Sequence, residues 1–189
     1  MGAANQAMWK AFDIKCTRNE VVNQIEHPAD PTRKLYFMPD VPHVYKNIRG
    51  MFLSHKVLGI TKEIAEKYNL PSTKIELDHV GLLIEYDKDK ELKLAPKLDS
   101  SHLESTHFDK MKVSTAFNLL HRKNGIALEW LVKEKNYSKN LLTTAWFLKM
   151  VYRWFELMTS RSPTLALSMM NPEKYKETLQ FLEDMITIF

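Results

Sequence analysis

The sequence predicts a mainly α-helical protein in which a small α/β segment precedes a helical domain. Three observations predict it. Residues 35–38 form a short apolar, aromatic run halted by Pro39 and Pro42, as suits a buried strand. From residue 108 onward, apolar side chains recur at helical spacing through most of the remaining chain. After the one strand, no second convincing strand pattern follows.

Taken in order, residues 3–12 are expected to form a first helix, followed by a polar connection through Pro28, Asp30 and Pro31. The strand at 35–38 comes next, then a helix from 41 to about 55. On that helix Val44, Tyr45, Ile48, Met51 and Phe52 recur at helical spacing, Asp40 can cap it and Pro42 can open it. Residues 61–68 read as a short helix capped by Thr61, with Ile64 facing inward and Asn69 and Pro71 closing it. Residues 75–85 carry Ile75, Leu77, Val80, Leu83 and Ile84, mostly at helical spacing. Residues 92–106 hold Pro96, Asp99, Ser100 and Ser101 with little periodicity and read as a loop. Residues 108–135 form the longest pattern, with Met111, Ala116, Phe117, Leu120, Ala127, Trp130 and Leu131 on one side and Gly125 as the expected break. Residues 141–160 have so wide an apolar face, from Ala145 and Trp146 to Phe155 and Met158, that this helix should be central. Residues 175–189 add a last amphipathic helix.

At 189 residues, 44% hydrophobic and 26% charged, the chain is long enough to bury one core. A single cysteine, Cys16, excludes an internal disulfide framework and fits a reducing compartment. No apolar run is long enough to cross a bilayer and no signal-peptide pattern occurs, so nucleus or cytoplasm is expected and no membrane partner. The net charge of +4 permits contact with phosphates without demanding it. Lys46, Arg49, His55 and Lys56 sit around one helix, and Lys110, Lys112, Arg122 and Lys123 flank another. On charge alone these are solvated helix faces. No GxxxxGK[ST] string occurs, which excludes a P-loop. The seven histidines show no ligand spacing with carboxylates or with Cys16, so no structural metal is expected. His43, at a strand end, sits where α/β folds place chemistry, and reads equally as a half-buried histidine bonded to nearby backbone.

Five strings carry a resemblance: MGAANQAMWKAF (1–12), YFMPDVPHVYKNIR (36–49), LKLAPKLDSSHL (92–103), FDKMKVSTAFNLL (108–120) and TTAWFLKMVYRWFELMTSR (143–161). In order and approximate spacing they resemble P-element-like transposases of the THAP family. The resemblance implies that residues 1–55 are the end of an RNase H-like catalytic core and that 56–189 are most of a helical GTP-binding insertion domain, cut at both ends. The catalytic Asp residues would then precede Met1 and the catalytic Glu would follow Phe189. A two-metal phosphoryl-transfer site needs those carboxylates, so no cleavage or strand-transfer activity is expected of this chain. The family's zinc-finger DNA-binding module is absent from these residues, and any DNA contact should be to phosphates.

In this family the insertion domain binds GTP, which helps to hold DNA rather than driving a motor. Carried over, Lys112 and Val113 resemble the nucleotide-contacting pair of the KMKV string, Phe155 the aromatic against the guanine, and Glu156 stands where the family usually has Asp, a partner for the guanine N1 and N2 donors. His121 stands where a Ser is expected. His43, Lys46 and Arg49 would lie near DNA. Mg could accompany the GTP phosphates without dedicated protein ligands. Each residue keeps a plainer alternative: Phe155 as core beside Trp154 and Leu157, Lys112 as a surface lysine, Glu156 with Arg153 as ordinary helix charge patterning. The other functional reading is a helical interaction module completed by a partner, either a second copy or a full-length transposase relative.

Overall fold

The computed structural model describes residues 3–17, 20–104, 112–162 and 164–188. Met1, Thr106, Phe108, Lys110, Met111 and Phe189, on which parts of the sequence reading fall, lie outside the described residues. The fold is mainly helical, as expected, with small antiparallel sheets, and forms two compact units that meet in sequence at Val44 and Tyr45.

The first unit opens with α1 (Ala3–Ala11), whose Trp9 and the following Phe12 pack their rings 6.2 and 5.6 Å from that of Phe37. Strands β1 (Lys15–Cys16) and β2 (Val21–Val22) pair antiparallel. Strands β3 (Gln24–His27) and β4 (Asp30–Tyr36) form a hairpin with Ile25 opposite Leu35. The strand expected at 35–38 is thus the end of a longer one, and it is not a lone strand: its partner lies in the stretch read as a polar connection. Ile25 is the one apolar residue of β3, too few for a visible alternation. At the turn, Asp30 Oδ1 accepts from the Thr32 N–H at 3.1 Å and from its hydroxyl at 2.7 Å. Helix α2 (Val41–His55) starts as anticipated, with the His43 N–H donating to Asp40 Oδ2 at 3.0 Å.

The second unit continues from Tyr45. Lys56, with φ of 60°, turns the chain out of α2 into β5 (Val57–Gly59). This strand pairs antiparallel with β6 (Lys74–Glu76), Leu58 opposite Ile75. The domain expected to be all-helical therefore contains one small β-pair, and Ile75, 1% exposed, is a strand residue rather than the start of a helix. Strands of three residues are shorter than the window over which periodicity can be read. Between them lies α3 (Lys62–Lys67), where Thr61 Oγ1 accepts from the Ile64 N–H at 3.3 Å and Ile64 is buried.

Helix α4 (Leu77–Asp87) leads into a long connection held by two buried charged side chains. Asp87 accepts from the N–H groups of Leu94 (3.0 Å) and Ala95 (2.8 Å). Arg49 Nη2 donates to the carbonyls of His102 (3.3 Å) and Glu104 (3.2 Å), beside a 3-10 turn at Ser100–Leu103. Then follow α5 (Val113–Leu119), α6 (Arg122–Lys135), α7 (Leu141–Thr159) and α8 (Pro172–Ile188). Helix α7 is central: Leu141, Ala145, Phe147, Leu148 and Val151 are at most 1% exposed.

The break in the long helical pattern falls at Leu120–His121, not at Gly125. His121 caps α6, its Nδ1 accepting from the Lys123 N–H at 3.0 Å. Gly125 lies inside α6 for a different reason: a Cβ there would stand 2.6 Å from the Ala145 carbonyl oxygen of α7. A residue without a side chain lets the two helices approach. Helix α8 is tied on through Asp184, which accepts from Lys67 Nζ at 2.6 and 2.9 Å and from the Tyr68 hydroxyl.

Candidate functional site

Where α5 meets α6, four aromatic or imidazole rings converge with a fifth from α2 behind them. Phe117 of α5 lies edge-on to His121, centroids 4.9 Å apart, and 5.7 Å from Tyr152 of α7. His121 and Tyr152 are 4.5 Å apart. Phe155, one turn beyond Tyr152, stands 6.2 Å from Phe117 and 4.2 Å from Tyr45, whose ring is tilted 32° to it. The spacing explains the gathering: Phe117 and His121 are four residues apart, and Tyr152, Phe155 and Glu156 share one side of α7. Phe117, His121 and Phe155 remain half-exposed, so the cluster is a wall and not a sealed core.

Beside this wall lies a cleft of about 90 Å³ lined by Pro96, Lys97, Phe117, Asn118, His121 and Lys123. Its floor is set by Asn124, 3% exposed, whose amide nitrogen donates to the carbonyls of Asn118 (2.7 Å) and Leu119 (2.9 Å) and so locks the elbow. The Asp87 bonds to Leu94 and Ala95 anchor the chain just before Lys97.

The charges around the cleft are felt by its titrating groups. Burial lowers the His121 pKa first, then the cations Lys123 and Arg122; Glu156 opposes them and Lys97 adds a smaller push downward. The neutral imidazole agrees with the cap, which needs an unprotonated Nδ1. Burial also raises the pKa of Tyr152 and Tyr45, with the Glu156 carboxylate adding to both. The arrangement offers flat apolar faces, one carboxylate acceptor and three nearby cations. That donor set suits a planar heteroaromatic group bearing N–H donors and an anionic tail.

Of the residues singled out in the sequence, the structure brings His121, Phe155 and Glu156 together. Lys112, exposed, and Val113 stand at the other end of α5, about 10 Å of helix away. His43 belongs to the first unit and is half-buried; Lys46 is half-buried on α2 in the second. Arg49 is 2% exposed and lies on the core-facing side of α2 with Tyr45, Ile48 and Phe52, so its guanidinium serves loop carbonyls instead of a phosphate. Tyr45, Lys97, Phe117 and Tyr152 were not singled out for the site. The four-residue spacing of Phe117 with His121, and of Tyr152 with Glu156, was the available signal. Among the described residues no three His, Cys, Asp or Glu side chains converge to hold a metal ion, and no helix is long and apolar enough to cross a membrane.

Residues 42–172 match the family described as TNP-like, GTP-binding insertion domain. The chain is 23% identical over 164 residues to the transposable element P transposase of Drosophila melanogaster, covering 87% of this chain and 20% of that protein. It thus spans about a fifth of the length of the curated relative it matches. A solved structure of the Drosophila P element transposase strand transfer complex matches its fold with a TM-score of 0.75 at 18% identity, covering 97% of this chain and 39% of the matched one.

Proposed function

Because the chain belongs to the family of TNP-like, GTP-binding insertion domains, we propose that its second unit binds a guanine nucleotide in the cleft at the α5–α6 elbow. The observation that carries this reading is the convergence of Phe117, His121, Tyr152 and Phe155, with the Glu156 carboxylate close enough to act on Tyr152 and His121 and with Lys97 and Lys123 lining the adjoining cleft. The rings supply apolar faces for the base. Glu156 accepts from the guanine N1 and N2 donors, which adenine presents differently. Lys97, Arg122 and Lys123 hold the phosphates as separate cations, in keeping with the absence of a P-loop string. Lys112 and Val113 extend the phosphate end along α5, and Mg accompanies the phosphates without protein ligands of its own.

In this reading the chain is a P-element-like transposase segment of the THAP lineage, its first unit derived from an RNase H-like core and its setting the nucleus. It binds nucleotide, and DNA through phosphate contacts near His43 and Lys46, and it performs no strand cleavage. A second reading, an interaction module completed by another copy or a longer transposase, is favoured by one observation. Leu165, Leu167, Met169 and Met170, between α7 and α8, are 45 to 87% exposed.

The test is a thermal melt with GTP, with ATP and with neither, each with and without Mg. GTP at 100 times its Kd adds about 2.7 kcal/mol, a rise of about 5–10 °C for a chain of this size. ATP should add far less, and Phe155→Ala should abolish the rise. A cooperative melt indifferent to GTP would sink the nucleotide reading and leave the interaction module.

A further inference from the structure

Tyr45 has no exposed surface. Its ring lies against Phe155 at 4.2 Å, and its hydroxyl donates to the Leu120 carbonyl oxygen at 3.2 Å. Leu120 ends α5 and directly precedes His121, the cap of α6. One side chain of α2 therefore touches both the ring cluster, through Phe155 of α7, and the elbow that lines the adjoining cleft, through the backbone next to His121. A phenylalanine would fill almost the same volume without burying a polar group. A buried hydroxyl is costly unless bonded, so the bond to Leu120 is the part of Tyr45 that packing alone does not require. Burial also keeps this hydroxyl protonated, as a donor must be.

We propose that Tyr45 is a positioning residue of the nucleotide site, fixing where Phe155 of the ring cluster stands relative to the His121 elbow and with it the surface that receives the base. The proposal rests on the nucleotide reading above. It goes beyond that reading by assigning a buried residue, outside the cleft, to the relative placement of the ring cluster and the elbow. Loss of the hydroxyl frees the elbow to shift while leaving the aromatic stack in place.

The experiment compares wild type, Tyr45→Phe and Phe147→Leu, the last a core change on α7 that leaves the Tyr45 bond and stack in place. GTP affinity is read at equilibrium with a fluorescent GTP derivative, far below each melting temperature. The His121 imidazole resonances are read by NMR without nucleotide. Tyr45→Phe should weaken GTP binding about 5-fold, in line with one lost hydrogen bond, and shift the His121 resonances. Phe147→Leu should lower the melting temperature yet leave affinity and His121 near wild type. Unchanged affinity and unchanged His121 signals in Tyr45→Phe would overturn the proposal, as would an equal loss of affinity in Phe147→Leu. If wild type binds no GTP, the nucleotide reading fails by itself, and the His121 resonances still decide whether Tyr45 sets the elbow.

Discussion

Replacing Gly125 with alanine should destabilise this protein even though alanine is the better helix former. Gly125 lies in the middle of α6, where glycine ordinarily costs about 0.8–1 kcal/mol relative to alanine. The added Cβ, however, would sit 2.6 Å from the Ala145 carbonyl oxygen and 2.9 Å from Lys149 Cγ. The lysine stem can rotate away. The carbonyl belongs to the backbone of the buried, central α7 and cannot. To restore an ordinary contact, α6 must back off by roughly 0.5 Å or more, opening gaps along a packed interface. Overpacking of this kind costs about 1–3 kcal/mol, and the rigid obstacle puts it at the upper end. After the gain in helix propensity the net loss is about 1–2 kcal/mol, or about 2–8 °C in Tm. Urea unfolding of Gly125→Ala beside Gly50→Ala measures it. Gly50, in α2, has nothing within 4 Å of its would-be Cβ, so its alanine variant should gain about 0.5–1 kcal/mol. A Gly125→Ala protein as stabilised as Gly50→Ala would refute the argument that close helix approach selects this glycine. Because His121 caps α6 and α7 carries Tyr152, the same variant should also weaken nucleotide binding.

Two other outcomes follow from buried polar groups. Arg49→Lys should cost about 1.5–3 kcal/mol in urea unfolding, since the His102 and Glu104 carbonyls are both held by Nη2 at the far end of the guanidinium, one bond farther out than a lysine ammonium; an unchanged midpoint would show that the loop does not depend on it. Acidification should lower stability. His79, 7% exposed and 2.8 Å from Thr144 Oγ1, has its pKa lowered by burial, against smaller opposing effects of Glu76 and Asp78. The unfolded chain takes up the proton near pH 6.5 while the folded chain resists it, so stability present above that pH is lost as pH falls toward the lower folded value. His121 shifts in the same direction and adds to the loss. The melting temperature should fall between pH 7 and pH 5, with a shallower fall in His79→Gln; a flat or rising profile over that range would contradict the buried neutral imidazole.

Much of the helical framework was legible beforehand, because long elements repeat their pattern often enough to be read. Helices α2 and α7 lie within a residue of where their apolar spacing placed them, and the Thr61 cap and the Asp40 turn closed as their side-chain chemistry requires. The short strands β3, β5 and β6 were missed because three or four residues carry no measurable period. Arg49 was read as a surface cation because charge argues for exposure; its place in the i, i+4 row with Tyr45 shows the contrary only once that row is known to face the core.

The sequence by itself determined which residues share a helix face, and through its resemblance to P-element-like transposases it marked His121, Phe155 and Glu156. What only the tertiary structure decided is which faces meet. Tyr45, Leu120 and Phe155 are distant along the chain and come together because α2, the elbow and α7 pack on one core. Gly125 became a point of helix approach, and not a helix break, because Ala145 of another helix occupies the space a side chain would need. Periodicity is a property of one segment, whereas side-chain neighbours depend on how closely, and on which side, two segments pack.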